Sequence, residues 1–305
     1  MAAPSVSDFP SSYAAAHGRI QLRPFGAMPA VVRHLELQVA DRADAFPVLV
    51  SVSDEMNLAP VVALEVGTAW LTPATLATWG VSVEIVASDA LASLGDLEVD
   101  VRRVGRGAFV VHGEVFAGAV WGRPQLVSGL GVSGNPVVWN AGDGVTLVTG
   151  DEASEGFQIA VAVLTERLQS GVELETLTPH RMVDDAWTPS VWPASVQDAL
   201  RTAERLFARQ WYERQREPLR EHYQSQGHEM NVPEYRVMDT PQGEVVSACA
   251  CVVGVPNLIP DVDTVLLIQP DGTARPYSFA EFRDQFAVSM QDAGMSPPRW
   301  LTLGQ

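Results

Sequence analysis

Two short glycine-containing turns set the strongest limit on the fold of this chain. They lie at residues 105–107 and 140–144, and each separates two stretches rich in apolar side chains. Such stretches on either side of a short glycine turn are typical of β-hairpins. The strands predicted beside the two turns are residues 97–104, 108–113, 136–139 and 145–148. The sequence therefore predicts antiparallel sheet in this part of the chain.

Helix signals lie between the predicted strands. Thr72 can cap a helix that begins at Pro73 and ends before Gly80, because its hydroxyl can accept from an otherwise unpaired backbone amide. Ser278 and Glu281 have the spacing of a capping box. Further helices are predicted at residues 82–94, 156–169, 194–224 and 279–292. Further strands are predicted at residues 34–40, 47–52, 61–66, 234–238, 244–253, 264–268 and 299–303.

A change of composition at residues 178–193 predicts a boundary between two domains. The segment contains three prolines, two tryptophans and a pair of adjacent aspartates. A chain of 305 residues is also longer than one core usually organises. We therefore predict an α+β fold with two domains, residues 19–177 and 194–305, joined by a linker at residues 178–193. Each domain is expected to be a mainly antiparallel sheet packed with helices.

The chain contains no lysine, and all 20 of its basic residues are arginine. The codon bias of a GC-rich genome is the simpler explanation, and selection for a lysine-free surface is the alternative. Without lysine the chain lacks the ammonium group of GxxxxGK[ST] phosphate loops, of protein kinases and of enzymes that form a lysine Schiff base. The sequence therefore excludes these three classes.

The formal net charge of −17 disfavours binding to phosphate backbones or anionic lipid. Met1–Ala16 carries no basic residue ahead of an apolar run, so no signal peptide is predicted. The longest apolar stretch, residues 245–255, is far shorter than the ~20 residues that a membrane helix requires. We expect a soluble, cytoplasmic protein that binds neither nucleic acid nor membrane.

The two cysteines, Cys249 and Cys251, are next-but-one neighbours in a predicted strand, which places both on one face. Their side chains then run parallel and do not reach disulfide geometry. A metal would need further soft ligands, and the sequence contains no other cysteine. We predict buried free thiols, and we predict no metal or cofactor for the chain.

Residues 129–134 match the GxGxxG pattern of dinucleotide-binding proteins. That pattern binds pyrophosphate only where it opens a helix. Here Asn135, Pro136 and a predicted strand follow, so we interpret the glycine run as a loop.

Two groups of polar side chains give weaker indications of a metal site. His222, His228 and Glu229 include ligand types that zinc accepts, but the histidines lack the spacing of three or four that shares a helix face. Asp261 and Asp263 precede an apolar strand, where paired acids can hold a metal. Solvation at a helix end and in a loop explains both groups more simply.

A stripe of arginines on the predicted helix at residues 194–224 is the most concentrated basic surface, and tryptophans lie near the domain boundary. Arginine stripes bind carboxylates or phosphates, and exposed tryptophans anchor protein partners. The candidate surface for a protein partner comprises Trp187, Trp192, Arg201, Arg205, Arg209 and Trp211. Salt bridges to interleaved glutamates, and packing of the tryptophans between domains, are the alternatives.

A set of apolar spacings and turn residues runs from residue 61 to residue 168. It includes Thr68-Ala69-Trp70-Leu71-Thr72-Pro73, Leu76, Trp79-Gly80-Val81, Ala90-Leu91, Gly134-Asn135-Pro136-Val137-Val138 and Thr146-Leu147-Val148. In these residues the chain resembles a widespread family of bacterial proteins classed as a domain of unknown function. The resemblance implies a cytoplasmic α+β domain with no assigned activity. Residues 140–143 are Asn-Ala-Gly-Asp, where that family commonly has Pro, Arg and Asp, and the part after Arg181 is not covered.

Acidity is the strongest indication of function, because no set of reactive side chains lies close together along the sequence. The leading hypothesis is a non-enzymatic cytoplasmic protein-binding or regulatory protein, such as an immunity-like or chaperone-like protein that engages a basic partner. The second is a metal-dependent hydrolase, and the third is a structural component of a larger assembly. The hydrolase would use some of Asp261, Asp263, His222, His228 and Glu229. The sequence favours a protein without enzymatic activity but does not decide this point, and it leaves the oligomeric state open.

Overall fold

The computed structural model describes residues 8–94, 100–241 and 243–303. It confirms the predicted α+β class, with mainly antiparallel sheets packed with helices. The chain divides into two compact units, of which the first comprises Met1–Ala30 and Arg42–Ala199 and the second Val31–Asp41 and Leu200–Gln305. Each unit has its own sheets and its own apolar core.

The first unit contains two antiparallel sheets. Its strands are β1 (Ile20–Gly26), β2 (Val50–Ser51), β3 (Met56–Ala63), β4 (Thr68–Trp70), β5 (Val101–Gly105), β6 (Ala108–His112), β7 (Pro136–Asn140), β8 (Val145–Gly150), β9 (His180–Val183) and β10 (Ala186–Pro189). In the smaller sheet β3 pairs with β1, β2 and β4. The larger sheet has the order β10-β9-β7-β8-β6-β5, so that β5 lies at one edge. The two predicted hairpins are therefore confirmed as β5–β6 and β7–β8, apart from residues 97–99, which lie outside the described part of the chain.

The second unit contains a four-stranded and a three-stranded sheet. Its strands are β11 (Arg236–Asp239), β12 (Val245–Val252), β13 (Asn257–Pro260), β14 (Thr264–Ile268), β15 (Ala274–Ser278), β16 (Met290–Asp292) and β17 (Arg299–Thr302). The first sheet has the order β11-β12-β14-β15, and its β12–β14 pair is parallel. The second has the order β13-β17-β16. The predicted strands at 234–238, 244–253, 264–268 and 299–303 are thus present with shifts of at most a few residues.

The described helices include α1 (Tyr13–Ala16), α2 (Ala27–Val39), α3 (Pro73–Trp79), α4 (Val83–Ser93), α5 (Glu114–Gly122), α6 (Ser154–Gln169), α7 (Gln197–Ser225) and α8 (Phe279–Gln285). Short 3-10 helices lie at His17–Arg19, Ala43–Ala45, Pro124–Leu130 and Ala194–Val196. The predicted caps are confirmed. Thr72 accepts from the amide of Thr75 before α3, and Ser278 and Glu281 form both bonds of the capping box before α8. Among the described residues, no helix has both the length and the apolarity needed to cross a membrane.

Two predicted elements were wrong. Residues 34–39 form part of α2 and not a strand, because three alternating apolar residues are too short a window to separate the two periods, and the helix had already begun at Ala27. The helix predicted at residues 279–292 ends at Gln285, and strand β16 occupies Met290–Asp292.

The segment predicted as a linker, residues 178–193, differs from that expectation. It contains β9 and β10, and β9 pairs with β7 in the large sheet of the first unit. The Trp187 indole is 4% exposed and donates to the carbonyl of Val120 at 2.9 Å. Trp187 and Pro189 therefore lie in the edge strand β10, and the units divide near residue 200 and again at residues 31–41.

Candidate functional site

A cleft of about 690 Å³ lies at one end of the large sheet of the first unit. Its volume falls within the range of roughly 300–1,000 Å³ that is usual for ligand pockets. Three segments that are distant in sequence form it: the β5–β6 hairpin, the glycine run before β7 and the start of α6. The side chains that give it its character are Arg103, Arg106, Phe109, Leu130, Glu152 and Glu155.

The β5–β6 hairpin supplies the positive charges of the cleft. The strand register shifts between Arg103 and Gly105, and this irregularity lies directly before the turn that carries Arg106. The Nε of Arg103 donates to the carbonyl of Gly105 at 3.0 Å. Within the described part of the chain, Arg106 has neither a hydrogen-bond nor an ion-pair partner, and both arginines are exposed. Two guanidinium groups are therefore available to a ligand.

The glycine run forms one wall of the cleft, and from Gly131 onward it is a loop as predicted. Leu130 ends a 3-10 helix, and strand β7 follows the run where a dinucleotide site would need a helix. The loop packs closely against the end of β8. The backbone of Ser133 approaches Gly150 so closely that a Cβ on this glycine would lie 1.9 Å from the carbonyl oxygen of Ser133. Ser133 also accepts from the amide of Glu152 at 3.2 Å.

The start of α6 supplies the negative charges. Glu152 precedes the helix and Glu155 lies in its first turn, where the helix dipole favours acidic side chains. The Glu152 carboxylate accepts one long bond of 3.4 Å from the hydroxyl of Ser133. Neither glutamate forms an ion pair with Arg103 or Arg106, although all four residues line the same cleft. The cleft thus presents separated charges of both signs.

A serine and a histidine lie within hydrogen-bond distance elsewhere in the first unit. The Oγ of Ser53 lies 2.9 Å from Nε2 of His180, and Nδ1 of His180 lies 3.0 Å from the carbonyl oxygen of Thr178. Because a carbonyl only accepts, Nδ1 carries the hydrogen and Nε2 accepts from the hydroxyl, as in a serine activated by a general base. The same Oγ, however, accepts from the amides of Glu55 and Met56 at 3.2 and 3.1 Å. Its lone pairs are occupied, so this pair stabilises a turn.

The environment of His180 keeps its imidazole neutral. The side chain is fully buried, and its ring packs edge-on against Trp121 with 4.8 Å between the ring centroids. Burial lowers the pKa of His180 to about 4, while the bond to Thr178 acts in the opposite direction.

The residues considered as metal ligands do not converge. Among the residues that the structure describes, no three His, Cys, Asp or Glu side chains gather in a way that could hold a metal ion. Asp263 is instead bound by Arg205 at 2.7 and 3.0 Å and by the amide and hydroxyl of Ser247. Burial acts to raise the pKa of Asp263, but these bonds outweigh burial and hold the pKa below its usual value, whereas burial raises the pKa of Asp261. His222 bonds to Gln226 on the same helix end.

Two of the three tryptophans of the candidate partner surface are buried, and all three pack within their own units. Trp187 is 4% exposed and Trp211 is 0% exposed. Trp192 is half-buried, stacks on Trp139 at 5.0 Å and donates to the carbonyl of Leu177 at 2.9 Å. The sequence interpretation of Trp187 and Trp211 as partner anchors is corrected, because a buried indole is not available to a partner.

The arginines of that surface have different environments. Arg205 is bound to Asp263, as described above, and Arg209 lies 3.8 Å from Glu213 on the same helix. Arg201 is exposed. The stripe is thus partly occupied by ion pairs, of which the contact of Arg209 with Glu213 is the kind that the alternative interpretation expected.

A buried arginine in the second unit was not singled out from the sequence. Arg299 is 0% exposed and donates to Gln215 Oε1 at 2.6 Å and to the carbonyls of Leu258 and Tyr212 at 2.9 and 3.3 Å. Burial lowers the pKa of Arg299 to about 10. Its partners join α7, β13 and β17, so this residue ties together the elements of its unit.

The cysteines agree with the prediction of buried free thiols. Cys249 and Cys251 lie on the core face of β12 and are 2% and 0% exposed. The hydrogen bond between the two thiol groups, together with burial, raises the pKa of Cys251.

Comparison of the chain with models of protein families, with curated proteins and with solved structures found no match.

The cleft was not recognised in the sequence, because its three segments are separated by about 20 residues or more. The sequence shows each part of the cleft only as a separate local feature: the glycine turn with Arg106, the glycine run, and the acidic residues at the start of α6. Only the pairing of β6 with β8 and of β8 with β7 brings the three segments to one end of the sheet.

Proposed function

We propose that this chain is a non-enzymatic cytoplasmic protein that binds a basic protein partner, in a regulatory, immunity-like or chaperone-like role. One observation carries the proposal: most of the net negative charge lies in the unit that contains the cleft. The first unit has nine arginines and 21 acidic residues, a formal charge of −12 out of −17. A surface of this kind attracts a basic partner and speeds its association.

The state of the polar side chains also supports binding over catalysis. The oxygen of Ser53 already accepts two backbone bonds, which leaves it poorly suited to nucleophilic attack. Asp263, which the hydrolase hypothesis would use, is bound by Arg205 and Ser247. In contrast, the charged groups of the cleft face outward without ion pairs, as a binding surface requires.

The proposal is tested by pulling down proteins from a bacterial lysate with the tagged chain at low and at raised ionic strength. We expect the retained proteins to be basic and to be released as salt rises, because screening shortens the range of surface charges to about 10 Å at 0.1 M. A variant with four exposed acids of the first unit neutralised should retain the same partner less well, by on the order of tenfold. That variant is D54N/E55Q/D184N/D185N.

A matched variant carries the same change of charge in the second unit, at four other exposed acids. It is E221Q/E229Q/D239N/E244Q. It should retain the partner as the unaltered chain does. Failure to retain any basic protein at low salt, or equal loss in both variants, would refute a basic partner that binds the first unit.

A further inference from the structure

The charged side chains of the cleft differ from the neighbouring arginines in forming no ion pair with a described residue. Arg102, next to Arg103 on β5, pairs with Asp100 at 3.3 Å. Arg181 of the same sheet lies 3.5 Å from Asp151. Arg103 and Arg106 have no carboxylate partner among the described residues, in a chain whose acidic residues outnumber its arginines by 37 to 20. The cleft therefore retains charges that the rest of the fold leaves unneutralised.

The two signs are also held apart within the cleft. The positive charges lie on the β5–β6 hairpin, and the negative charges lie at the start of α6, which the loop at Ser133 fixes in place. A ligand of a single sign would meet attraction at one wall and repulsion at the other. Phosphate groups in particular would lie close to Glu152 and Glu155. A ligand with one acidic and one basic group satisfies both walls.

The uncharged part of the lining suits a polypeptide. Phe109 and Leu130 are half-buried and offer apolar contact, while Gly107 and Gly131 present backbone without side chains. Strand β5 also lies at the edge of its sheet among the described strands, next to the cleft. Extended segments bind at such places through backbone contacts, with side chains providing specificity.

From these contacts we infer that the cleft binds an extended segment of the protein partner that carries both an acidic and a basic side chain. The acidic side chain lies between Arg103 and Arg106, and the basic one faces Glu152 and Glu155. This inference rests on the proposed function and names the chemistry of the segment that the partner inserts.

The test uses short fluorescein-labelled peptides of glycine and serine and measures binding by fluorescence anisotropy. One set carries an aspartate and an arginine at several separations, and matched peptides carry two aspartates, two arginines or neither. The full chain should bind one of the mixed peptides about tenfold more tightly than the matched ones, which corresponds to a difference of about 1.4 kcal/mol in binding free energy. R103Q/R106Q should then prefer two arginines, and E152Q/E155Q should prefer two aspartates.

Arg42 provides the control for net charge. It is exposed and without a partner in the described part of the chain, and R42E changes the charge by the same amount as R103Q/R106Q. R42E should keep the preference of the unaltered chain. The inference is overturned if the unaltered chain does not distinguish the peptides, or if the preference survives in both cleft variants. Retention of a basic protein in the pull-down with no peptide preference would leave the proposed function standing and refute this inference alone.

Discussion

Burial decides the protonation state of His180. Its neutral ring is bonded at both nitrogens, to Ser53 and to the carbonyl of Thr178, and it packs against Trp121. A protonated ring would have to donate from both nitrogens in a site closed to water. The folded state therefore binds this proton less readily than the unfolded state, whose histidine has a pKa near 6.5.

We predict that His180 makes the stability of the first unit depend on pH. The pKa of His180 in the folded state is about 4. Its neutral ring therefore contributes fully to the free energy of unfolding above about pH 6.5, and this contribution is lost progressively as the pH falls toward 4. Urea unfolding should show that the free energy of unfolding falls by about 2 kcal/mol more between pH 7.5 and pH 5 in the unaltered chain than in H180Q.

The two proteins are compared by how much their free energy of unfolding changes with pH, because H180Q also lowers stability at every pH by disturbing the hydrogen bonds of His180. The exposed His228 supplies the control, and H228N should behave as the unaltered chain. Equal pH dependence of the unaltered chain and H180Q would contradict the prediction.

At the scale of elements, packing overrides helix propensity in α5. Gly118 lies in the interior of this helix, where glycine is about 1 kcal/mol less favourable than alanine. The helix lies so close to β1 that a Cβ on Gly118 would be 1.8 Å from the carbonyl oxygen of Leu22. The contact is with backbone, which cannot move aside without disturbing the pairing of β1 with β3.

We therefore predict that G118A is destabilising although alanine favours a helix. The free energy of unfolding should fall by roughly 2 kcal/mol or more, the usual cost of overpacking in a core. G129A is the control, since nothing lies within 4 Å of a Cβ at Gly129. It should change stability by no more than ~0.5 kcal/mol. A stabilising effect of G118A in chemical denaturation would show that the helix does not approach β1 this closely.

At the scale of the whole molecule, the second unit includes residues 31–41 from the early part of the chain. Within that unit Glu36 accepts two bonds from Arg214 at 2.8 and 2.6 Å. Leu35 packs against a buried cluster of Leu219, Val232 and Leu258. The fragment 194–305, which composition suggests as a domain, lacks these contacts.

We predict that the isolated fragment 194–305 is less stable than the same residues in the full chain. Thermal unfolding followed by circular dichroism should give a lower or less cooperative transition, and a synthetic peptide of residues 31–41 should raise the transition temperature. A peptide with Leu35 and Glu36 replaced by alanine should raise it less. Cooperative unfolding of the fragment at the temperature of the full chain, without response to either peptide, would contradict the prediction.

The sequence by itself determined the local features, because each depends on residues only a few positions apart. The hairpin turns, the cap at Thr72, the capping box at Ser278 and the alternation that buries Cys249 and Cys251 are of this kind. Together they were sufficient to predict the α+β class.

Tertiary structure alone decided the rest, because it depends on which distant segments pair. The position of residues 178–193 in the large sheet, the inclusion of residues 31–41 in the second unit and the burial of Trp211 follow from long-range packing. The cleft is of the same kind, since strand order brings Arg103, Arg106, Glu152 and Glu155 to one end of a sheet. Spacing along the chain carries no information about such convergence.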